Sequence, residues 1–297
     1  MVGVGKSIRH ARGAGAVNDF LAEWFVALQR LTPQHQLSRL VSKLAESTHP
    51  RTKNLLIRQF IKTYNVNMDE AVGSSDNDYI SFNDFFTRSL KPESRPIDDT
   101  PGSIVSPADG TISQLGAITQ GRIFQAKGRH FSVDALLGEH SPRSEQFLNG
   151  QFATIYLSPR DYHRVHMPIH GSLEYCRYIP GKLFSVNTTT TQHIDGLFAR
   201  NERLVSFFNT EKGPCAIVMV GAMLVAGIET VWGNYSPGKL KTEQFSDNQV
   251  ALKKGEEMGR FKFGSTVILL FEENSATWDE TCGPGTTVQM GEGMGRL

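Results

Sequence analysis

Cysteine is scarce. Cys176, Cys215 and Cys282 are the only three, far apart and without a CxxC pair, which argues against a disulfide framework or a cysteine zinc site and for free thiols in a reducing compartment. Long hydrophobic runs are missing too. The longest, "AIVMVGAMLVAGI" from Ala216 to Ile228, is too short to cross a bilayer and is broken by glycine, so it is expected to form buried strands and no transmembrane segment is expected. The first residues, "MVGVGKSIRHARGAGAV", carry basic side chains but no apolar core of signal-peptide length; export is not expected, and an acid-poor organelle-targeting leader stays open. There is no GxSxG elbow and no RRM, KH or helix-turn-helix signature. Net charge is almost nil, at +1.

That near-zero total hides an asymmetry. Residues 1–66 hold ten Lys/Arg against three Asp/Glu, a net of +7, which leaves −6 for the remainder. A basic first fifth on an acidic body points to an anionic partner surface. Within it, Val17, Phe20, Leu21, Trp24, Phe25, Leu28 and Leu31 recur at three- and four-residue intervals, as do Leu37, Leu40, Val41 and Leu44, and then Leu55, Leu56, Phe60, Ile61 and Tyr64. This predicts three short amphipathic helices with cationic polar faces. Such stripes more often pack on one another or on the core, but Lys and Arg on the polar face opposite Trp24, Phe20 and Phe25 fit a helix lying in a membrane interface. A fourth helix is predicted over "SFNDFFTRSL", Ser81 to Leu90, followed by the proline-rich connector "KPESRPIDDTPG".

From Ile104 the texture is β-rich, with short apolar or alternating runs between turns and a helical piece at "SVDALLG". The stretch Gly233 to Asn248 reads as a loop. "GEEMGRF" (Gly255–Phe261) is echoed by "GEGMGRL" (Gly291–Leu297), which predicts two related turn-plus-strand units close together in a barrel-like sheet.

The chemistry centres on "GRFKFGSTVILLFEE". Val267 to Phe271 read as a short buried strand, yet it starts on Gly264-Ser265-Thr266. Glycine leaves the carbonyl beside Ser265 unshielded, which suits a hydroxyl that attacks its own backbone. A base is available in "DYHRVHMPIH", with His163, His166 and His170, and an acid in "SPADGTI", where Asp109 sits in a tight turn. In a strand, His163 and His166 face opposite sides unless a bulge or turn intervenes. Zinc spacing fits these histidines poorly, and Asp109 has the alternative role of satisfying local backbone donors.

Taken together, "SPADGTISQLG", "LSPRDYHRVHMPIHG", "PGKLFSVN", "FARNERL", "VGAMLVAGIETVW" and "FGST" after "GEEMGRF" resemble the phosphatidylserine decarboxylases of the bacterial, membrane-associated type, in the same order and from about the first helix to the C-terminus. Phe263 stands where that family usually has leucine. The resemblance implies self-cleavage at Gly264-Ser265, with Ser265 Oγ attacking the Gly264 carbonyl and Ser265 becoming a covalent pyruvoyl group, without metal or pyridoxal phosphate. It assigns the base to His166, oriented by Asp109, and gives His163 the role of acid or substrate-positioning group in decarboxylation. The pyruvoyl would form a Schiff base with phosphatidylserine and yield phosphatidylethanolamine and CO2.

The implied protein is α+β. A 1–16 extension and a 17–100 helical, membrane-associating region precede a 101–297 β-rich core like a barrel-sandwich hybrid, cleaved into chains 1–264 and 265–297. It would be a homodimer on the cytoplasmic face of the bacterial inner membrane, with no nucleic-acid partner. Three rivals remain: another pyruvoyl-dependent decarboxylase acting on a soluble amino acid, a hydrolase using Ser265, His166 and Asp109, and a non-enzymatic binding module.

Overall fold

A computed structural model describes residues 34–223, 227–236, 238–262 and 266–297. The predicted extension 1–16, the first predicted helix and residues Phe263, Gly264 and Ser265 around the expected cleavage point lie outside the described residues.

The architecture is α+β, with short helices leading into antiparallel sheets, none of which closes into a barrel among the described residues. Helix α1 (Gln34–Ala45) and helix α2 (Pro50–Tyr64) match the second and third apolar stripes. Proline starts α2, where its missing N–H costs nothing, and Asn65 in the left-handed region ends it. The expected helix over Ser81–Leu90 is much shorter: α3 is Phe82–Phe86 only. Ser81 caps its start by accepting from Asp84 N, but Thr87 leaves helical geometry and Leu90 is drawn into a bridge with Ala71. Phe82, Phe85 and Phe86 pack with Ile57, Tyr79 and Val66 in a small core of their own.

The main sheet runs, in spatial order, β12 (Lys241–Gln244), β7 (Gly171–Ile179), β8 (Arg203–Thr210), β9 (Gly213–Val220), β15 (Thr266–Phe271), β5 (Gln151–Tyr156), β2 (Gly110–Ala117) and β17 (Thr287–Val288), with β13 (Ala251–Leu252) also on β7. Strand β15 is central, and both faces of it are covered. Val267, Leu269 and Phe271 enter one core with Ile155, Met219 and Leu204; Ile268 and Leu270 enter the other with Val218, Val205 and Phe152. Two-sided burial is why "TVILLF" does not alternate. The second core is closed by helix α4 (Val133–Leu137), as predicted for "SVDALLG", capped by Ser132 and ended by left-handed Gly138.

The stretch Gly233–Asn248 is not simply a loop: it contains β11 (Gly233–Tyr235) and β12, which add edge strands to two different sheets. A four-stranded sheet orders β11, β10 (Ile228–Thr230), β14 (Glu257–Phe261) and β6 (Arg164–His166); a three-stranded one orders β1 (Ser103–Val105), β18 (Gly293–Arg296) and β16 (Thr277–Trp278).

The two echoed segments therefore form β14 and β18, in separate sheets, but they are used alike. Gly255 N donates to Met167 O and Met167 N to Glu256 O; Gly291 N donates to Ser106 O and Ser106 N to Glu292 O. Glu256 and Glu292 each accept a backbone N–H three residues earlier, from Lys253 and Gln289. Both glycines have positive φ, 82° and 90°, and both turns close over Ile97. The clasped segments then bond to each other, His166 N to Pro107 O at 2.7 Å and Val105 N to Pro168 O at 3.0 Å. This paired arrangement brings the "SPADG" turn against the "HRVHMP" strand.

Candidate active site

One rung of the main sheet runs from Thr111 through Tyr156, Thr266 and Val220 to Arg203. Thr266 is the first described residue after the expected cleavage point. On the other side of that gap, Phe261 N donates to His163 O at 3.1 Å. Both chain ends bracketing residues 263–265 are thus tied to named strands, one to β5 and β9 and the other to His163.

His163 is wholly buried. Its ring lies on Phe86, centroids 4.1 Å apart, and Nδ1 is 2.8 Å from the Asp161 carbonyl. A carbonyl only accepts, so Nδ1 carries the proton and Nε2 presents a lone pair that finds no partner among the described residues. Burial, with the Arg88 charge adding to it, lowers the His163 pKa to about 3. The imidazole is neutral across the physiological range.

His166 is oriented by two contacts, Nδ1 to Gly255 O at 2.8 Å and Nε2 to the Tyr162 hydroxyl at 3.0 Å. The same logic puts its proton on Nδ1 and leaves Nε2 accepting from Tyr162. Burial lowers its pKa as well, and burial pushes the Tyr162 phenol up to about 12. The two imidazoles share no hydrogen bond; His163 precedes β6 and His166 ends it, and they turn to different partners. His170, the third of the cluster, is exposed and accepts weakly from Lys254 N.

Asp109 ends the clasped turn and is buried, but its carboxylate does not bond His166 directly. Oδ1 accepts from Arg95 Nε at 2.8 Å and from Met290 N at 2.9 Å, and Oδ2 from Arg95 Nη2 at 2.5 Å. Arg95 also holds Glu70 at 2.8 Å. Asp109 acts on His166 through its charge, which favours the imidazolium, and through the backbone bond from His166 N to Pro107. The echoed turns fix each group: Gly255 anchors His166 and Met290 anchors Asp109.

Sequence reasoning missed Arg95, Tyr162, Phe86 and Arg88. Arg95 lay in what reads as a connector, and its partner is fourteen residues away; Phe86 and Arg88 lay in the predicted helix at Ser81–Leu90, read only for its periodicity, and Tyr162 four residues before His166. Asp109, Tyr162, Arg88, Arg95, Glu70, Arg160 and Asp161 line a polar cavity of about 240 Å³. Among the described residues no group of three His, Cys, Asp or Glu side chains is arranged to hold a metal ion.

The chain is similar to known proteins over most of its length. A family model described as phosphatidylserine decarboxylase matches residues 82–296, and another, described as PSD, matches 24–65. The phosphatidylserine decarboxylase proenzyme of Pseudomonas putida is 53% identical over 274 residues, covering 90% of this chain and 96% of that protein. Those of Saccharophagus degradans and Hahella chejuensis are 52% and 50% identical, each over 92% of this chain and 97% and 93% of their own. The chain is an enzyme, as its relatives are. It belongs to the phosphatidylserine decarboxylase family.

Proposed function

We propose that this chain decarboxylates phosphatidylserine to phosphatidylethanolamine, using a pyruvoyl group made from Ser265 by self-cleavage of the Gly264-Ser265 bond. The observation that carries the reading is His163: a neutral, fully buried imidazole with an unpartnered Nε2, bonded through its carbonyl to Phe261, just before the expected cleavage point. An orphaned buried acceptor there fits a site completed by a reactive group on Ser265. When present, a pyruvoyl group supplies an electron sink for loss of CO2 from an amine-bearing substrate.

Self-cleavage and pyruvoyl formation require only the chain's own atoms and one water. Ser265 Oγ attacks the Gly264 carbonyl carbon, the peptide C–N bond breaks and an ester forms. Elimination then releases the 1–264 chain as a carboxylate, and hydrolysis of the remaining enamine releases ammonia. His166 is suited to take the hydroxyl proton, because it is neutral and its tautomer is set by Gly255. The Tyr162 hydroxyl occupies that lone pair, so Tyr162 either moves aside or relays the proton. Asp109 supports the imidazolium electrostatically. In decarboxylation His163, with its proton on Nδ1, would use the Nε2 lone pair to accept a hydrogen bond from the substrate and position it, and would serve as the acid only after Nε2 had itself taken up a proton.

The lipid must be met in its bilayer. Leu40, Leu44 and Leu55 are exposed on α1 and α2, beside Arg51 and Arg58, which supports a peripheral membrane protein whose helices dip into an anionic leaflet. No described helix is long and apolar enough to cross a membrane. A homodimer on the cytoplasmic face of the bacterial inner membrane belongs to the same reading.

Incubation with phosphatidylserine vesicles tests it. Stoichiometric CO2 and phosphatidylethanolamine are expected. Release of fatty acid or free serine would point to a hydrolase instead, and CO2 from soluble amino acids alone would reassign the substrate.

A further inference from the structure

Arg88 is a buried cation that makes no salt bridge among the described residues. Its side chain is 4% exposed, its guanidinium lies over the Phe85 ring, and Nη2 donates to the Arg160 carbonyl at 3.1 Å. Nε and Nη1 have no hydrogen-bond partner among the described residues. The carboxylates around it are engaged elsewhere. Arg95 takes Glu70 and Asp109, and Asp161 accepts from Ser158 N while Arg160 stands 3.7 Å from its other oxygen. Burying a charge with idle donors is costly unless something completes it.

What Arg88 faces is the polar cavity of about 240 Å³, far larger than the roughly 10–15 Å³ that one water needs. Tyr162, which carries His166, forms part of its wall, and Arg88 is near enough to His163 for its charge to act on that ring.

Resting on the reading above, we propose that this cavity seats the phosphodiester of the lipid headgroup, with the Arg88 guanidinium in its wall as the balancing charge and Arg160, whose side chain is 63% exposed, at the mouth. The substrate offers two anions, and the chemistry separates them. The carboxylate loses its charge as CO2 departs, so a guanidinium on it would stabilise the ground state and oppose the reaction. The phosphodiester keeps its charge throughout, so binding it helps ground and transition states alike. Arg88 is therefore a specificity residue acting on KM.

The test uses full-length protein, wild type and R88Q, R88K and R160Q, each first shown by denaturing mass to process as wild type does. Thermal shift and competition against phosphatidylserine turnover are measured with sn-glycero-3-phosphoethanolamine, L-serine and inorganic phosphate. Wild type is expected to bind glycerophosphoethanolamine at least tenfold more tightly than inorganic phosphate. R88Q should lose tenfold or more of that affinity and raise KM similarly with kcat within threefold, R88K less, and R160Q two- to fivefold.

Loss confined to L-serine would make Arg88 a carboxylate ligand, and equal or tighter binding of inorganic phosphate would make this a free-phosphate site; either overturns the proposal. If R88Q does not fold, wild type and R160Q decide: no thermal shift with glycerophosphoethanolamine also overturns it. Absence of CO2 from wild type would instead sink the decarboxylase reading, because the thermal shift reports the anion site without turnover.

Discussion

His163 and His166 have the same tautomer and similar burial, yet they occupy different surroundings, and their variants should separate two reactions. H166N is expected to stay full length, with processing slowed at least ~100-fold, the usual scale for losing a positioned base. H163N should still cleave but release CO2 from phosphatidylserine at least ~100-fold more slowly. Paired gels and CO2 assays check this; a reversed pattern would exchange the roles. Acidity gives a second handle. The folded His163 pKa lies well below its unfolded value, so the unfolded chain binds a proton first as pH falls below about 6.5. Stability from this residue is complete above that point and is lost toward about pH 3, at up to about 1.4 kcal/mol per pH unit. Glu202 works the other way. It is buried beside the Tyr178 hydroxyl, and burial raises its pKa to about 7. Its stabilisation is present below about pH 4.5 and is lost as pH rises through 7. Denaturant titrations should show E202Q, compared with wild type, losing less stability between pH 5 and 8.

At the scale of elements, strand β15 and the paired turns hold the site. Leu269 is fully buried in the middle of β15, so L269A should cost about 2–5 kcal/mol by urea titration. Gly291 has φ of 90°, and a Cβ there would meet Ile97 and the Pro96 carbonyl at 2.7 Å, whereas one at Gly128, φ 74°, would meet nothing. G291A should therefore destabilise clearly more than G128A, whose cost is backbone strain of about 1 kcal/mol. These same elements show what was legible. An uninterrupted apolar run bounded by charge announced β15, and repeated "GExMGR" announced two related turns. Three- and four-residue spacing announced α1 and α2. The helix at Ser81 was over-read because Thr87 to Leu90 keep helical composition while tertiary pairing with Ala71 takes them away. Asp109, His163 and His166 were visible through a family resemblance. The Arg95 clamp on Asp109 was not, since a bidentate contact made by folding leaves no periodicity behind.

For the whole molecule, cleavage before residue 265 would leave the last 33 residues as a separate chain, yet one threaded through the fold. Strand β15 pairs with both β5 and β9, β17 with β2 and β18 with β1, so the small chain should remain bound until the protein unfolds. Size exclusion under native conditions should give one species whether or not the bond is cut. The basic N-terminal fifth should make vesicle binding depend on anionic lipid and weaken with salt, because surface charge is screened within about 10 Å at 0.1 M. Sedimentation with phosphatidylserine-containing and neutral vesicles checks this.

The central claim is that Ser265 is converted, and intact mass under denaturing conditions tests it most directly. The account predicts two species, roughly 29 and 3.5 kDa, the smaller about 17 Da lighter than a chain beginning with serine, as loss of ammonia requires. A single species at the full-chain mass in freshly prepared, active protein would contradict it.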